Sequence, residues 1–395
     1  MLIKEIGKVV TGKTPSTFRP EYYGDGFMFI SPTELHTDFS IKESEKHITE
    51  AGINAILSNS ISGLSVLVGC IGWDMGNVAI VDAKCATNQQ INSITSFSKG
   101  VSPYYVYYWL KGKKDYLFRL ANVTRTPILS KGDFEDIDIP LPDKTVQDSV
   151  ANVLVNVDRK IENNKDICDT LESIVKLIYD YWFIQFDFPD NNGKPYKANG
   201  GKMVWNDKLK REIPEGWDVD TVGSLITERE KSSVQVGEAE GHVGNVPFFT
   251  SGDAIIMYDT PLTEGRNCFL NTGGNADVKY YIGEAAYSTD TWCITAGTYS
   301  SYLFEYIDSI RKYLDISFFA GSGLKHLQKD AFKSHRLILP PDTLVRKFNE
   351  TADKCFTKVS EIKIESQYLS GLRDFLLPLL MNGQVKVKHN KHNPL

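Results

Sequence analysis

Residues 7 to 14, Gly7-Lys8-Val9-Val10-Thr11-Gly12-Lys13-Thr14, satisfy the phosphate-cradling pattern G-x-x-x-x-G-K-[ST] letter for letter. That pattern holds a nucleotide only where a buried strand precedes it and a helix opens inside it, so that backbone N–H groups converge on the phosphates. Here six residues precede Gly7, Lys4 and Glu5 among them, and Thr14 is followed by Pro15, Pro20, Gly24 and Gly26 without helical period. A strand running into a turn is the expected local structure. Lys13 and Thr14 are then free to meet the phosphates of a nucleic-acid backbone, and a nucleotide-binding enzyme built on Gly7 to Thr14 stands as an alternative.

Other chemistries lack their parts. The six cysteines, Cys70, Cys85, Cys168, Cys268, Cys293 and Cys355, form no C-x-x-C and have no His at zinc-ligand spacing. They read as reduced and structural. Methyl transfer to a base would need a Gly-rich cofactor loop and an Asn/Asp-Pro-Pro-aromatic stretch, and neither is present. A metal-dependent nuclease would need clustered carboxylates; the nearest fragments, Pro189-Asp190 and Pro142-Asp143-Lys144, read as linker and helix cap. His36, His47, His326 and His335 accompany no nucleophile signature. The expectation is a chain with no catalytic residue, no metal site and no cofactor of its own.

The positive signal lies in polar loops. "NVTRTPILSKGD" offers Thr124, Arg125 and Thr126, and "AGSGLKHLQKD" offers Ser322, Lys325 and His326 at the corresponding place some 200 residues on. "CATNQQINS" adds Asn88 and Gln89, its counterpart "AYSTDTWC" adds Thr289, and "FFTSGD" adds Ser251. Such residues suit phosphate contacts and base-edge reading, in which Arg addresses guanine and Asn or Gln addresses adenine. With a net charge of -6, a grip on DNA is expected to be partial or shared with other proteins.

The elements that must carry these loops come twice. Each half opens with short β-branched and aromatic runs broken by Gly, Asn and Asp. Each continues with a helical patch ("SPYYVYYWLKGKKDYLFRL" and "SSYLFEYIDSIRKYLDISFF") and closes on an apolar strand ending in "PLPD" or "LPPD". At 395 residues there is room for two such domains, and the class is α+β. After each Pro-Asp a heptad-like helix is expected. The first seam runs through Val150, Leu154, Val157, Ile161, Leu171, Ile178 and Trp182, with polar Asn164 interrupting it; the second runs through Phe348, Val359, Ile362 and Leu369, with Ser366 interrupting it. "REIPEGWDVDTVGSLI" restarts the chain in its middle as the counterpart of "LIKEIGKVVTGKTPS". The expected division is domain 1 over residues 1–142, helix 143–187, linker 188–210, domain 2 over 211–341, helix 342–383 and flexible tail 384–395. The helices are expected to pack together as an antiparallel coiled coil. No apolar stretch reaches the ~20 residues of a membrane span, and the N-terminus has no signal-peptide core, so a cytoplasmic protein is expected.

With "IGKVVTGKTPS", "DIDIPLPDKTVQDSVANVLVNVDRKIENNKDICDTLESIVKLIYDYWF", "REIPEGWDVDTVGSL" and "LILPPDTLVRKFNETADKCFTKVSEIKIESQYLSGLRDFLLPLLMNG" in this order, the chain resembles the specificity subunit of a type I restriction-modification enzyme. The resemblance covers nearly the whole chain. It implies two target-recognition domains in a pseudo-twofold arrangement, each reading one half of a bipartite, asymmetric site in double-stranded DNA, with the helix pair fixing the spacing. It implies that the two helix blocks, through the seam residues named above, also dock two modification (methyltransferase) subunits, which carry S-adenosylmethionine, and that restriction subunits, which use ATP and Mg to translocate and cleave, complete the assembly. Two departures stand out: Gln147 has Arg346 as its sequence counterpart, and the second block has "DFLLPLLMNG" where the first has "YWF". The remaining alternative is a coiled-coil scaffold with two β-rich binding modules.

Overall fold

The computed structural model describes residues 1–36, 39–123, 125–242, 244–252 and 254–387. The chain forms two compact units, residues 1–163 with 368–395, and residues 164–367. Each unit takes part of both long helices.

In the first unit, strands Lys8–Thr11, Ile91–Thr95, Leu64–Gly69 and Val78–Asp82 lie in that order in an antiparallel sheet. Val66, Val68, Val78, Ile80 and Ile94 share a core with Tyr105, Val106, Tyr107, Tyr108 and Leu110 of helix Pro103–Lys111. That helix begins on proline, whose missing N–H costs nothing in a first turn. A second sheet orders Lys46–Ile48, Tyr23–Ile30, Cys85–Thr87 and Ser60–Ile61, with Phe29 and Ala86 paired in parallel.

The second unit repeats this plan. Its antiparallel sheet runs Thr227–Glu228, Thr291–Thr295, Arg266–Asn271 and Val278–Ile282, and helix Ser300–Ser309 covers it through Tyr302, Leu303 and Ile307. Its second sheet pairs Phe248 with Ala286, again in parallel. The segment ahead of it is ordered: Met203–Asn206 forms a hairpin with Arg211–Pro214, and Phe188 stacks on Tyr196 and Trp217 with ring centroids 4.6 and 5.2 Å apart.

The first long helix is α-helical over Lys144–Tyr179 and ends in a π-helical turn, Asp180–Ile184. The second, Asp342–Met381, runs through Gly371 and Pro378 without ending. In the first unit Val150, Ala151, Leu154 and Val155 pack in one core with Leu377 and Leu380. In the second, Cys168 and Leu171 meet Val359 and Ile362, while Val175, Tyr179 and Phe183 share a core with Phe348, Ala352 and Phe356. In both units one segment therefore ascends as the other descends, the antiparallel pairing expected of the seams. Val150, Leu154, Phe348, Val359 and Ile362 are buried, and Val157, Ile161, Leu171, Ile178, Trp182 and Leu369 are half-buried.

Polar residues fix these packings. Asn164 is fully buried and donates to Glu365 Oε2 at 2.9 Å and Ser366 Oγ at 3.1 Å, so the two polar interruptions of the seams meet. Asp158, also buried, accepts from Tyr108 Oη at 2.6 Å and from Arg373 at 2.8 Å. Gln147 accepts from the Ser102 N–H at 2.9 Å and donates to Gly100 O at 3.1 Å, holding the turn ahead of helix Pro103–Lys111. Its structural counterpart is Asn349, which donates to Thr298 O at 2.7 Å ahead of helix Ser300–Ser309. Arg346, the counterpart in sequence, is exposed and paired with Asp342 at 2.6 Å.

Candidate nucleic-acid interface

The Gly7 to Thr14 segment cannot form a nucleotide cradle. Residues Lys8–Thr11 are a strand paired with Ile91–Thr95 inside the motif, and no helix begins at Lys13. The Lys13 N–H donates to Thr87 O at 2.9 Å, so it is spent within the fold. Gly12 is fixed by close approach: a Cβ there would overlap the Asn88 carbonyl and Thr87 Oγ1. Gly12 thus seats the Lys13 turn on the Asn88 turn, a role of packing that the letter pattern conceals.

That seat gathers the predicted residues of the first unit. Thr14 Oγ1 donates to Gln89 Oε1 at 2.8 Å, and Asn88 Nδ2 donates to Gln90 Oε1 at 3.0 Å. From this turn the backbone leads on: the Cys70 N–H donates to Gln90 O at 2.7 Å, and the Leu129 N–H to Cys70 O at 2.9 Å. The Gly72 N–H donates to Pro127 O at 3.0 Å, which closes the Asn122–Ile128 hairpin onto the Cys70 loop. Arg125 and Thr126 at its tip are exposed, and Arg125 has no acidic partner among the described residues. Thr124 lies outside the described residues. Lys13 and Gln89 are exposed, and Thr14 and Asn88 half-buried, on the same run of loops.

The second unit builds the same scaffold bond for bond. The Thr272 N–H donates to Asp290 O at 2.9 Å, the Leu327 N–H to Thr272 O at 3.0 Å, and the Gly274 N–H to Lys325 O at 3.0 Å. Ser251 Oγ also donates to Asp290 O, at 2.8 Å. Thr289 and His326 line one cleft of about 420 Å³ together with Thr272, Lys231 and Lys329. Burial and the neighbouring cations Lys231 and Lys333 lower the pKa of Lys329, against the pull of Glu228, and its ammonium sits 5.0 Å from the Trp292 ring centre. Ser322 is exposed at the tip of the Phe319–Leu327 hairpin. Lys325 is half-buried and ion-paired with Asp315 at 2.8 Å. Lys329 belongs to the loop "AGSGLKHLQKD" singled out in the sequence, whereas Lys231 and Thr272 were absent from the predicted interface; the register of "AYSTDTWC" with "CATNQQINS" could have led to Thr272 through its partner Cys70.

The same backbone frame thus carries Gln90, Cys70 and Pro127 in one unit and Asp290, Thr272 and Lys325 in the other. Among the described residues no group of three His, Cys, Asp or Glu could hold a metal ion, and no helix is long and apolar enough to cross a membrane.

Residues 1–173 match the family model for the type I restriction modification DNA specificity domain. The type I restriction enzyme MjaIX specificity subunit of Methanocaldococcus jannaschii is 27% identical over 98% of this chain and 93% of its own length. The chain is thus similar, over nearly its whole length, to the specificity subunits of type I restriction-modification enzymes. The HindI specificity subunit of Haemophilus influenzae is 30% identical over 41% of this chain and 36% of its own length. The crystal structure of the type I restriction-modification S subunit from M. genitalium superposes with a TM-score of 0.62 at 14% identity, covering 96% of this chain and 95% of that one, which shows the fold.

Both relatives are named specificity subunits, and the matched family model is one of DNA specificity. The duplicated frame accords with that specificity. A common scaffold with different side chains at matching places is what a reader of two unlike sequences requires.

Proposed function

We propose that this chain is a specificity subunit that reads a bipartite, asymmetric site in double-stranded DNA, one half by each of two target-recognition domains over residues 1–142 and 211–341. The duplicated loop frame carries the reading: the Cys70–Gln90 and Thr272–Asp290 bonds are the same bond, whereas the side chains around them differ. Lys13, Thr14, Asn88, Gln89, Arg125 and Thr126 serve one half. Ser251, Thr289, Ser322, Lys325 and His326 serve the other. S-adenosylmethionine, ATP and Mg act on the partner subunits.

Two modification subunits dock on the long helices, and restriction subunits complete the assembly. The buried seam is committed within the chain, so docking falls to outward apolar residues. On the first helix Ile167, Ile174, Leu177, Tyr181 and Ile184 are exposed at steps of seven, three, four and three residues. That is the spacing of a helix-binding stripe.

The test is binding by the purified complex with its modification subunit to a randomised duplex library, with selection and sequencing of what is retained. Enrichment of two fixed half-sites around an unspecified spacer supports the reading. A selection that enriches no sequence refutes it.

A further inference from the structure

The loop between strands Leu64–Gly69 and Val78–Asp82 presents Trp73 to solvent at 69% exposure. The loop is pinned on every side. The Gly72 N–H donates to Pro127 O, the Gly76 N–H donates to Gly69 O at 2.8 Å, and Met75 is buried beneath. Gly72 and Gly76 have φ of +105° and +92°, a backbone region that favours glycine. Asp74, next to the ring, is bound by Lys114 at 2.7 Å, and Phe118 lies 6.2 Å from the indole. Single exposed apolar side chains are common on protein surfaces, so it is the place of this ring, on a fixed loop bonded to the hairpin that carries Arg125, that points to a contact made with something else.

We infer that Trp73 is a DNA-contacting residue of the first unit, supplying an aromatic contact to its half-site beside Arg125; this rests on the DNA-reading function proposed above. Three observations choose DNA as the occupant. The Gly72–Pro127 bond ties the Trp73 loop to the hairpin that carries Arg125. Lys111, Lys113, Lys114 and Arg119 line the adjoining cleft, a cationic flank for phosphates. Gly274 in the second unit makes the equivalent bond to Lys325, yet the residue after it is Asn275 and the loop, Thr272 to Asp277, is two residues shorter than Cys70 to Asn77. A protein docking alike on both units would call for the same residue in both. A reader of two unlike half-sites would not.

The experiment compares wild type, Trp73→Ala and Trp73→Phe, each purified with the modification subunit, for binding to the selected duplex and to a duplex with the first unit's half-site scrambled. The Ala variant is expected to bind the intact site about 5- to 100-fold more weakly, the range of a lost base contact in duplex DNA, and the Phe variant to recover most of the loss. Discrimination of the first half-site should fall while that of the second is kept. Indole fluorescence lost in Trp73→Phe should be the part that specific DNA quenches. An Ala variant that binds like wild type overturns the inference while leaving the DNA-reading function intact. An Ala variant that loses the modification subunit instead makes Trp73 a protein contact and overturns it too. A wild-type complex without sequence preference removes the function and this inference together.

Discussion

Asn164 of the first long helix donates to Ser366 of the second at 3.1 Å from a fully buried position. One slip of register along the pair would leave the amide facing apolar neighbours, so the bond penalises misaligned pairing as buried Asn does in coiled coils.

Replacing Asn164 by Ala is expected to lower stability by ~1–2 kcal/mol. The double variant with Ser366→Ala should fall short of the sum of the two single losses. Urea unfolding of the four proteins measures the coupling; strict additivity would mean that the bond does not bind the seam.

Asp158 and Arg373 form a more demanding pair, with side-chain exposures of 3% and 18%. Asp158→Ala leaves the Tyr108 hydroxyl without its acceptor and the Arg373 guanidinium with Asp374 alone, at 2.9 Å, and is expected to cost ~3 kcal/mol. Tyr108→Phe removes one donor and should cost ~1 kcal/mol. A thermal melt in which the two substitutions are equally mild would contradict the arrangement.

Glu305 supplies a pH dependence. Burial, and then the charge of Asp308, push its carboxyl from the ordinary 4.5 up to about 8; Lys176 opposes them, and Asp180 and Glu172 add to the rise. The folded state therefore keeps this proton where the unfolded chain has released it. The stabilisation is full below pH about 4.5 and is lost as the pH climbs through about 8. Glu305→Gln should gain on wild type in chemical denaturation between these limits, by a few kcal/mol at most. A difference between the two proteins that stays flat across that range would show that the carboxyl titrates normally.

Gly12 and Lys13 separate packing from contact. Gly12→Ala must push apart the Lys13 and Asn88 turns, so both melting temperature and DNA affinity are expected to fall. Lys13→Ala, on an exposed side chain, should leave the melt unchanged and weaken DNA binding with a shallower salt dependence. Neither protein should retain ATP in equilibrium dialysis, and retention would revive the nucleotide reading.

Much of this was legible in the sequence because its signals are periodic or duplicated. Heptad spacing exposed both seams and their polar interruptions at Asn164 and Ser366; that the two interruptions meet is a finding of the structure. The strands and helices repeat at a nearly constant offset, which revealed two α+β units. At Gly7 to Thr14 the short lead-in and Pro15 pointed to a strand running into a turn rather than a nucleotide cradle; the close approach of Gly12 to Thr87 is a tertiary fact that eight letters do not show. Asn349 escaped notice because linear alignment set Arg346 against Gln147, whereas the helix face turned toward the domain selects Asn349. Lys325 is offered by its loop for DNA contact, but its pairing with Asp315, ten residues away, is a tertiary contact the loop sequence does not show. Trp73 lay among apolar letters, and only its exposure distinguishes it from core.

The central claim is that each unit reads its own half of one DNA site. The most direct measurement is to co-express the chain with its modification subunit and map methylated bases by long-read sequencing, for wild type, Arg125→Ala and Lys325→Ala. A bipartite motif with relaxed preference in one half for Arg125→Ala, a smaller change confined to the other half for Lys325→Ala, and no methylation without this chain is the expected result. A motif that is continuous, or that changes in both halves with either substitution, would contradict the account.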